Sequence, residues 1–230
     1  MSHQAVPETP GVAGHRGPVC ATVAALYVDP LGPYPKLVEH WWDEARDAKT
    51  YAGPWPVVAH PPCTRWCRLA GLVEARWGHK RGDDGGTFAH ALAAVLRYGG
   101  VLEHPAYSAE WPAHGINRPP SGGGWVNADF IGGWTCYVEQ HRYGHMAKKA
   151  TWLYAFGCAP SPGRWGLVAD GECAALVSWC GNHVSSGARR ERLGKKRAAE
   201  TPVAFAEWLI SLAREARAPS AEPIPSRACP

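Results

Sequence analysis

A chain of 230 residues with 46% hydrophobic residues is long and apolar enough to bury a sizeable core, which excludes a chain that is disordered overall. Its net charge of +4 permits binding to nucleic acid without requiring it. No apolar signal core follows Met1, and no uninterrupted apolar run of about 18 residues occurs. We therefore expect no membrane partner and a cytoplasmic location, where the eight cysteines stay reduced. A disulfide framework is the open alternative for these cysteines.

Composition divides the chain into three regions. Residues 1–18 are polar and rich in Pro and Gly, which predicts a flexible N-terminal arm. Residues 19–217 are expected to form a single domain, within which residues 158–200 form a small irregular insertion. Residues 218–230 are rich in Pro, Ser and Ala, a composition typical of a disordered tail.

Hydrophobic periodicity predicts alternating strands and helices in the first half of the chain. In order, these are a strand over 19–28, a helix over 37–48, a strand over 56–59, helices over 65–77 and 88–98, and a short strand at Val101-Leu102. Two short strands joined by a helix indicate a parallel βαβ unit. The predicted fold class is therefore α/β, with a mostly parallel sheet flanked by helices.

Irregular segments separate the predicted elements of the second half. Residues 106–132 are rich in Gly, Pro and Ser and are expected to form a long loop. Strands over 134–140 and 151–156 are expected to form a β-hairpin with a broad basic tip. The last helix is predicted to open with Thr201 as its N-cap and Pro202 in its first turn.

The sequence His60-Pro61-Pro62-Cys63 follows the buried strand 56–59 directly. Two prolines continue neither a strand ladder nor a helix, so they hold Cys63 on a stiff loop at the carboxyl end of that strand. Ligands of open α/β sheets gather at this edge. We therefore predict that Cys63 is a nucleophile, with an inert buried thiol as the alternative. Glu103-His104-Pro105 repeats the same design after the next strand.

The order of these elements resembles the cytosine C5-specific DNA methyltransferases, and in particular their short, phage-type members. The resemblance is carried by a Pro-Cys loop, a glutamate after the next strand and a Gln-x-Arg hairpin. A Tyr-Gly pair followed by a Lys and a Thr adds to it. The residues concerned are Pro62, Cys63, Glu103, Gln140, Arg142, Tyr143, Gly144, Lys149 and Thr151.

This resemblance implies a reduced methyltransferase-like (Rossmann-like) fold, S-adenosyl-L-methionine as the cofactor and cytosine-containing DNA as the partner. It implies that Cys63 adds to C6 of a flipped cytosine, so that C5 accepts a methyl group. Glu103 would hydrogen-bond the N3/N4 edge of the base, with Gln140 and Arg142 as catalytic support. The expected cofactor contacts are Asp29, Pro61 and Pro62, and the expected DNA contacts are Arg65, Lys148, Lys149 and Thr151.

The thiol of Cys63 must ionise before it can attack, and a free cysteine has a pKa of about 8.5. We expect Arg65 and the N-terminus of the helix predicted after Cys63 to lower that pKa. Glu103 as an ordinary loop carboxylate is the alternative to its catalytic role. The basic residues between Arg189 and Arg197 are interpreted as solvated charge or as a nucleic-acid contact.

The cofactor loop departs from the family pattern. From Asp29 to Pro35 the chain has one glycine and three prolines, where the family has a glycine-rich loop. Only 28 positions separate Val28 from Pro56, too few for the two further strands that line the adenosine pocket. A pyrimidine-modifying enzyme with a different donor, and a non-catalytic DNA-binding protein on the same fold, therefore stay open.

Metal binding is a further alternative. His60, Cys63 and Cys67 lie close in sequence, and His141 and His145 have i, i+4 spacing. No C-x-x-C pair occurs, which disfavours structural zinc, and we expect no metal. A zinc nucleobase deaminase is excluded because it needs H-x-E and P-C-x-x-C, and the chain contains neither.

Overall fold

The computed structural model describes residues 22–67, 70–158, 160–169, 171–177 and 191–217. The predicted N-terminal arm, the predicted C-terminal tail and the basic residues Arg189 and Arg190 lie outside the described residues. Within the described ranges, no helix combines the length and the apolar character needed to cross a membrane.

A seven-stranded sheet, with the strand order β2-β1-β3-β4-β7-β6-β5, forms the centre of the protein. Its strands are β1 (Ala24–Leu26), β2 (His40–Trp42), β3 (Val57–Ala59), β4 (Gly100–Pro105), β5 (Val126–Asn127), β6 (Trp134–Glu139) and β7 (Ala150–Phe156). The first four positions, β2 to β4, are parallel, whereas β7 is antiparallel to β4 and β6, and β5 is antiparallel to β6. The predicted α/β class is confirmed, and the sheet is mixed.

Helices cover both faces of this sheet. The described helices are α1 (Tyr34–Leu37), α2 (Ala70–Trp77), α3 (Thr87–Tyr98), α4 (Glu110–Ala113), α5 (Lys195–Ala199) and α6 (Val203–Arg214), of which α6 and α3 pack on opposite faces of the sheet. Phe205 and Leu209 of α6 pack in one core cluster with Val58 of β3 and Val101 of β4. Phe88 of α3 packs in a second core cluster on the opposite face of the sheet. Its strand partners there include Val57 and Leu102, which alternate with Val58 and Val101. The described part of the insertion contributes β8 (Ala175–Leu176) and β9 (Glu191–Arg192), a separate parallel pair.

The predicted βαβ unit is confirmed as β3, α3 and β4, with α2 as an additional helix before α3. Asp84 fixes the start of α3, because its carboxylate accepts hydrogen bonds from the backbone N–H groups of Gly86 and Phe88, each at 2.9 Å. Gly99 ends the helix and Gly100 begins β4, both with positive φ. This two-glycine turn lets β4 lie directly beside β3.

The helix predicted over residues 37–48 is wrong. The helix α1 begins earlier, at Tyr34, and lasts only four residues. Val38 is extended, and residues 40–42 form β2, which pairs with β1 from Ala24↔His40 to Leu26↔Trp42. Backbone pairing with the neighbouring strand therefore outweighs the helical spacing of Trp41 and Trp42. The interval between Val28 and Pro56 thus contains one further strand of the sheet.

Three other expectations change in the second half. The long loop 106–132 contains α4 and the edge strand β5. The tip of the predicted hairpin begins with a 3₁₀ turn over Gln140–Tyr143. Thr201 is not the N-cap of α6, because Pro202 takes that position and its carbonyl accepts the hydrogen bonds of Phe205 and Ala206.

The contact of Gly100 with β3 predicts a measurable effect on stability. A Cβ atom at Gly100 would lie inside the van der Waals radius of the Val57 carbonyl oxygen, at a φ of +123° that disfavours L side chains. We expect Gly100→Ala to destabilise the fold by about 3 kcal/mol or more, and to lower Tm by about 6 °C or more in a thermal melt.

Gly71→Ala is the matched control, because a Cβ at Gly71 meets no atom within 4 Å and alanine favours the helix α2. Its Tm should not fall. An unchanged Tm in Gly100→Ala would contradict the described register of β3 and β4.

Candidate active site

Cys63 lies on a loop that leaves the carboxyl end of β3 and is anchored on both sides. Before it, the N–H of His60 donates to the carbonyl of Leu26 in β1 at 3.0 Å. After it, the Cys63 carbonyl accepts from the N–H groups of Trp66 and Cys67, at 3.0 and 2.9 Å. The loop is therefore closed into a turn, as the paired prolines predicted.

Glu103 lies within β4, rather than after it, and meets the residue that follows β3. Because Ala59 pairs with Leu102, His60 and Glu103 come next to each other on the same face of the sheet. The Nδ1 atom of His60 lies 2.9 Å from Oε2 of Glu103. Gln140 donates from Nε2 to Oε1 of Glu103 at 3.2 Å and to Oγ1 of Thr151 at 2.9 Å. The structure thus brings Glu103, Gln140 and Thr151 together.

The surroundings keep Glu103 ionised. Burial alone would raise the pKa of its carboxyl group, but the hydrogen bond and charge of His60, with the charge of Lys149, hold that pKa below its ordinary value. The second nitrogen of His60, Nε2, lies 2.6 Å from the hydroxyl of Tyr34. Burial and the charge of Glu103 raise the pKa of Tyr34 well above its usual range, so Tyr34 remains a hydroxyl donor. We therefore assign the proton of neutral His60 to Nδ1.

The thiol of Cys63 is protonated at neutral pH. Burial, together with the charges of Cys67 and Glu103, raises its pKa to about 11. The expectation that Arg65 and a helix N-terminus lower this pKa is wrong, because the pKa is raised and Arg65 is not among the groups that shift it. The side chain that favours the thiolate is Lys149.

Lys149 belongs to this site and not to an open phosphate-binding surface. Its Nζ donates to the carbonyl oxygens of Ala199 and Glu200, at 2.8 and 2.6 Å. Burial lowers its pKa, while the charges of Glu103 and Cys63 act in the opposite direction. Its ammonium group is thus the cation that faces the carboxylate and the thiol.

Other predicted site residues lie elsewhere. Arg142 donates to the Leu167 carbonyl at 2.7 Å and lies 3.9 Å from the carboxylate of Glu172, so it does not join Gln140 at Glu103. Lys148 pairs with the buried Glu139 at 3.4 Å. The Arg142 guanidinium and the Lys148 ammonium group therefore already have acceptors in the protein. This argues against Arg142 as catalytic support and against Lys148 as a DNA contact.

A cavity of about 390 Å³ lies beside the Cys63 loop. It is lined by Pro62, Thr64, Arg65, Val73, His79, Asp83 and Asp84. Arg65 therefore faces a space next to the Cys63 loop, on the side of α2. Pro61, in contrast, is buried.

Sequence reasoning missed the roles of two residues. His60 was considered only as a zinc ligand, although strand alternation puts it on the face of Val58, as it puts Glu103 on the face of Val101. That signal was available in the sequence. For Tyr34 there was none, since its contact with His60 depends on β1 lying next to β3.

The described loop after β1 does not fit S-adenosylmethionine in the way that the glycine-rich loop of the cytosine C5 methyltransferases binds it. Pro30, Pro33 and Pro35 have no N–H group. The N–H groups of Leu31 and Gly32 already donate to the side chain and carbonyl of Asp29. At the switch point between β1 and β3, Tyr34 is only 2% exposed. The loop therefore offers no row of free backbone donors to a cofactor carboxylate.

The raised pKa of Cys63 predicts slow alkylation at neutral pH. The rate of carbamidomethylation by iodoacetamide, followed by peptide mass spectrometry, should rise with pH up to about 11. Lys149→Met removes the cation that favours the thiolate, so we expect it to slow alkylation further at every pH below that value. A midpoint near about 8.5, the value of an ordinary thiol, would contradict the described environment.

No group of three or more His, Cys, Asp or Glu side chains among the described residues could hold a metal ion, and the five cysteines described there are free. Comparison with protein-family models, with curated proteins and with solved structures gives no match.

Proposed function

We propose that the protein is a DNA cytosine-5 methyltransferase-like enzyme that activates its base through a covalent bond between Sγ of Cys63 and C6. One observation carries the proposal. At the carboxyl edge of β3 and β4, the Cys63 loop lies beside a buried carboxylate, Glu103, that His60 and Gln140 fix on both oxygens. A nucleophile and an acid–base group on adjacent parallel strands suit addition to a flat, conjugated ring.

The addition step balances without any further reagent. When Sγ bonds to C6, the electrons of the C5=C6 bond move to C4–C5 and those of C4=N3 move to N3, which takes up a proton. The S–H bond breaks, so the thiol proton lost is matched by the proton gained at N3. C5 becomes the carbon of an enamine and can then react with an electrophile.

The charges of the site support this step. At neutral pH the thiol of Cys63 is protonated and Glu103 is ionised. Glu103 is therefore placed to stabilise a positive charge that develops when N3 is protonated. Lys149 stabilises the thiolate, and such interactions are strong because the site is largely shielded from water.

Gln140 completes the proposed base-binding edge. Its Nε2 donates to Glu103 and Thr151, which fixes the side chain. Its Oε1 is buried and has no hydrogen-bond partner in the described part of the chain. Burial without a partner costs free energy, so an added donor such as the exocyclic amino group of cytosine would be favoured.

The proposal that DNA is the substrate is supported by cations between Arg65 and Arg81 that have no acidic partner among the described residues. In the described chain, no carboxylate pairs with Arg65, Arg76, Lys80 or Arg81, whereas Arg142, Lys148 and Arg197 have acidic partners. Of the residues of α2 only Ala70 is buried, and Trp77 is 58% exposed. Exposed aromatic rings among free cations are typical of surfaces that bind nucleic-acid strands.

S-adenosylmethionine as the methyl donor rests on the sequence resemblance alone. A pyrimidine-modifying enzyme with a different donor is the second candidate, and the poor fit of the loop at Asp29 favours it. A 5-fluorocytosine oligonucleotide separates the two, because fluorine at C5 blocks the final elimination after methyl transfer. A covalent adduct that forms only with added S-adenosylmethionine would establish the methyl donor.

The covalent step predicts exchange of the hydrogen at C5. In deuterated water the enamine takes deuterium at C5, and reversal of the addition returns labelled cytosine without any donor. We expect wild-type protein to label cytosine in an oligonucleotide, measured by mass spectrometry after nuclease digestion. Cys63→Ala should reduce the rate by at least about 10³-fold, since no nucleophile remains.

Cys67→Ala is the matched control, because it removes the neighbouring thiol and leaves Cys63. It should retain exchange. If wild type and Cys63→Ala both fail to exchange, while both bind DNA, the protein is a non-catalytic DNA-binding protein.

The free cations predict where DNA binds. The double variant Lys80→Ala/Arg81→Ala should weaken binding to a fluorescent oligonucleotide and reduce the slope of log K against log salt by about 1.5. The matched control is Lys195→Ala/Lys196→Ala, which removes the same charge from the exposed helix α5. Equal losses in the two variants would contradict a binding surface at α2.

A further inference from the structure

We propose that Cys63 and Cys67 form a reversible modification site, in which thiol–disulfide exchange with a small disulfide such as oxidised glutathione joins the two sulfur atoms. Both thiols are free in the described structure, and both side chains are half-buried. Formation of this bond does not depend on the proposed function, whereas the loss of activity that follows from it does. The geometry of one turn carries the proposal.

The backbone folds residues 63–67 into a single closed turn. The N–H of Cys67 donates to the carbonyl of Cys63 at 2.9 Å, which is the hydrogen bond of an α-helical turn. Side chains four positions apart on such a turn lie on the same face, with Cβ atoms about 5–6 Å apart. The thiol of Cys67 donates to the carbonyl oxygen of Thr64 at 3.8 Å, so this side chain is directed back along the turn, toward Cys63.

Neighbouring segments hold this turn in place. The carbonyl of Arg65 accepts from the N–H of Gly82, and the carbonyl of Trp66 accepts from the N–H of Ala109, each at 3.1 Å. The electrostatics agree with the closeness of the thiols, because after burial the charge of the second thiol is the next cause that raises the pKa of Cys63. The fold therefore keeps the two sulfur atoms close together.

A disulfide requires a modest further approach of the two residues. Its Cβ atoms lie about 3.8 Å apart, so the turn has to contract by about 1–2 Å from the spacing of a helical turn. Strained disulfides are the ones that thiols reduce most readily. We therefore expect a reversible bond, as in the transient disulfides that sense redox conditions.

The exchange balances in two steps. A thiolate of the pair attacks one sulfur of oxidised glutathione, forms a mixed disulfide and releases one glutathione thiolate. The other thiolate of the pair then attacks the protein sulfur of that mixed disulfide and releases the second glutathione thiolate. The pair loses two protons and two electrons, and the disulfide of oxidised glutathione takes them up as it becomes two thiols.

The other cysteines of the described chain do not compete for this exchange. Cys136, Cys158 and Cys173 are buried, so a small disulfide has no access to them. Cys63 alone reacts slowly, since burial is the main cause that raises the pKa of its thiol to about 11. A neighbouring sulfur held by the turn offsets this disadvantage, because attack within one molecule has a high effective concentration.

The disulfide removes the nucleophile of the proposed function. Its formation leaves Sγ of Cys63 bonded to sulfur and unable to add to C6 of a pyrimidine. Reduction restores the thiol, so the modification turns the proposed activity off and on.

Trypsin reports the bond directly, because Arg65 lies between the two cysteines. Complete cleavage puts Cys63 on peptide 50–65 and Cys67 on peptide 66–68. After incubation with oxidised glutathione and blocking of free thiols with N-ethylmaleimide, we expect mass spectrometry to find these two peptides joined, and dithiothreitol to separate them. A Cys63 that stays free, or that is joined only to glutathione or to a different cysteine, overturns the proposal.

Cys67→Ser is the matched control. It replaces one sulfur by oxygen and leaves Cys63 in place, and a thermal melt establishes that the variant is folded. In the same buffer and time, we expect the oxidised fraction of Cys63 to be lower than in the wild type by at least about tenfold. An equal oxidised fraction would show that Cys63 reacts without its neighbour, and it overturns the pair.

Deuterium exchange at C5 reports the consequence of the bond. Oxidised wild type should lose exchange by at least about tenfold, dithiothreitol should restore it, and Cys67→Ser should retain it in the oxidising buffer. Full exchange by protein whose two peptides are joined overturns Cys63 as the nucleophile and leaves the disulfide standing. Absence of exchange in reduced wild type also overturns the proposed function, while the joined peptides still decide the modification.

Discussion

A carboxylate buried between two parallel strands is the constraint on which the site depends. Glu103 lies inside the ladder of β4, where an unpaired charge would cost several kcal/mol. The fold compensates it with His60 from the neighbouring strand end and Gln140 from the far side of β7. These partners also fix its orientation. The hydrogen bonds that compensate the buried charge therefore also hold the carboxylate in the orientation that the proposed function requires.

The same charge opposes ionisation of the Cys63 thiol beside it. Glu103 and burial both keep the proton on Cys63, and Lys149 opposes them from the start of β7. The resting site is thus a neutral thiol, a carboxylate and an ammonium group. The Cys63 side chain is therefore not a thiolate at neutral pH when the site is empty. In the proposed addition step, ionisation of the thiol is coupled to the arrival of a base that takes up a proton.

Much of this arrangement is predictable from particular residues. The short strands around Val58 and Val101, the helix between them and the loop at Pro61-Pro62 predict from the sequence alone that Cys63 lies near Glu103. The contact of Tyr34 with His60 is not predictable, since it requires β1 to lie next to β3, and the Trp41-Trp42 pattern points to one helix where the chain forms α1 and β2. The pKa of Cys63 also depends on burial, which sequence spacing does not contain.

The central claim is a covalent bond between Cys63 and a pyrimidine ring. Intact-protein mass spectrometry after incubation with an oligonucleotide containing 5-azacytosine tests it most directly, because nitrogen at position 5 makes C6 a better electrophile and needs no donor. The account predicts one adduct per protein in wild type, located by digestion on the peptide of Cys63, and none in Cys63→Ala. An adduct of equal yield in Cys63→Ala, or DNA binding with no adduct in wild type, would contradict it.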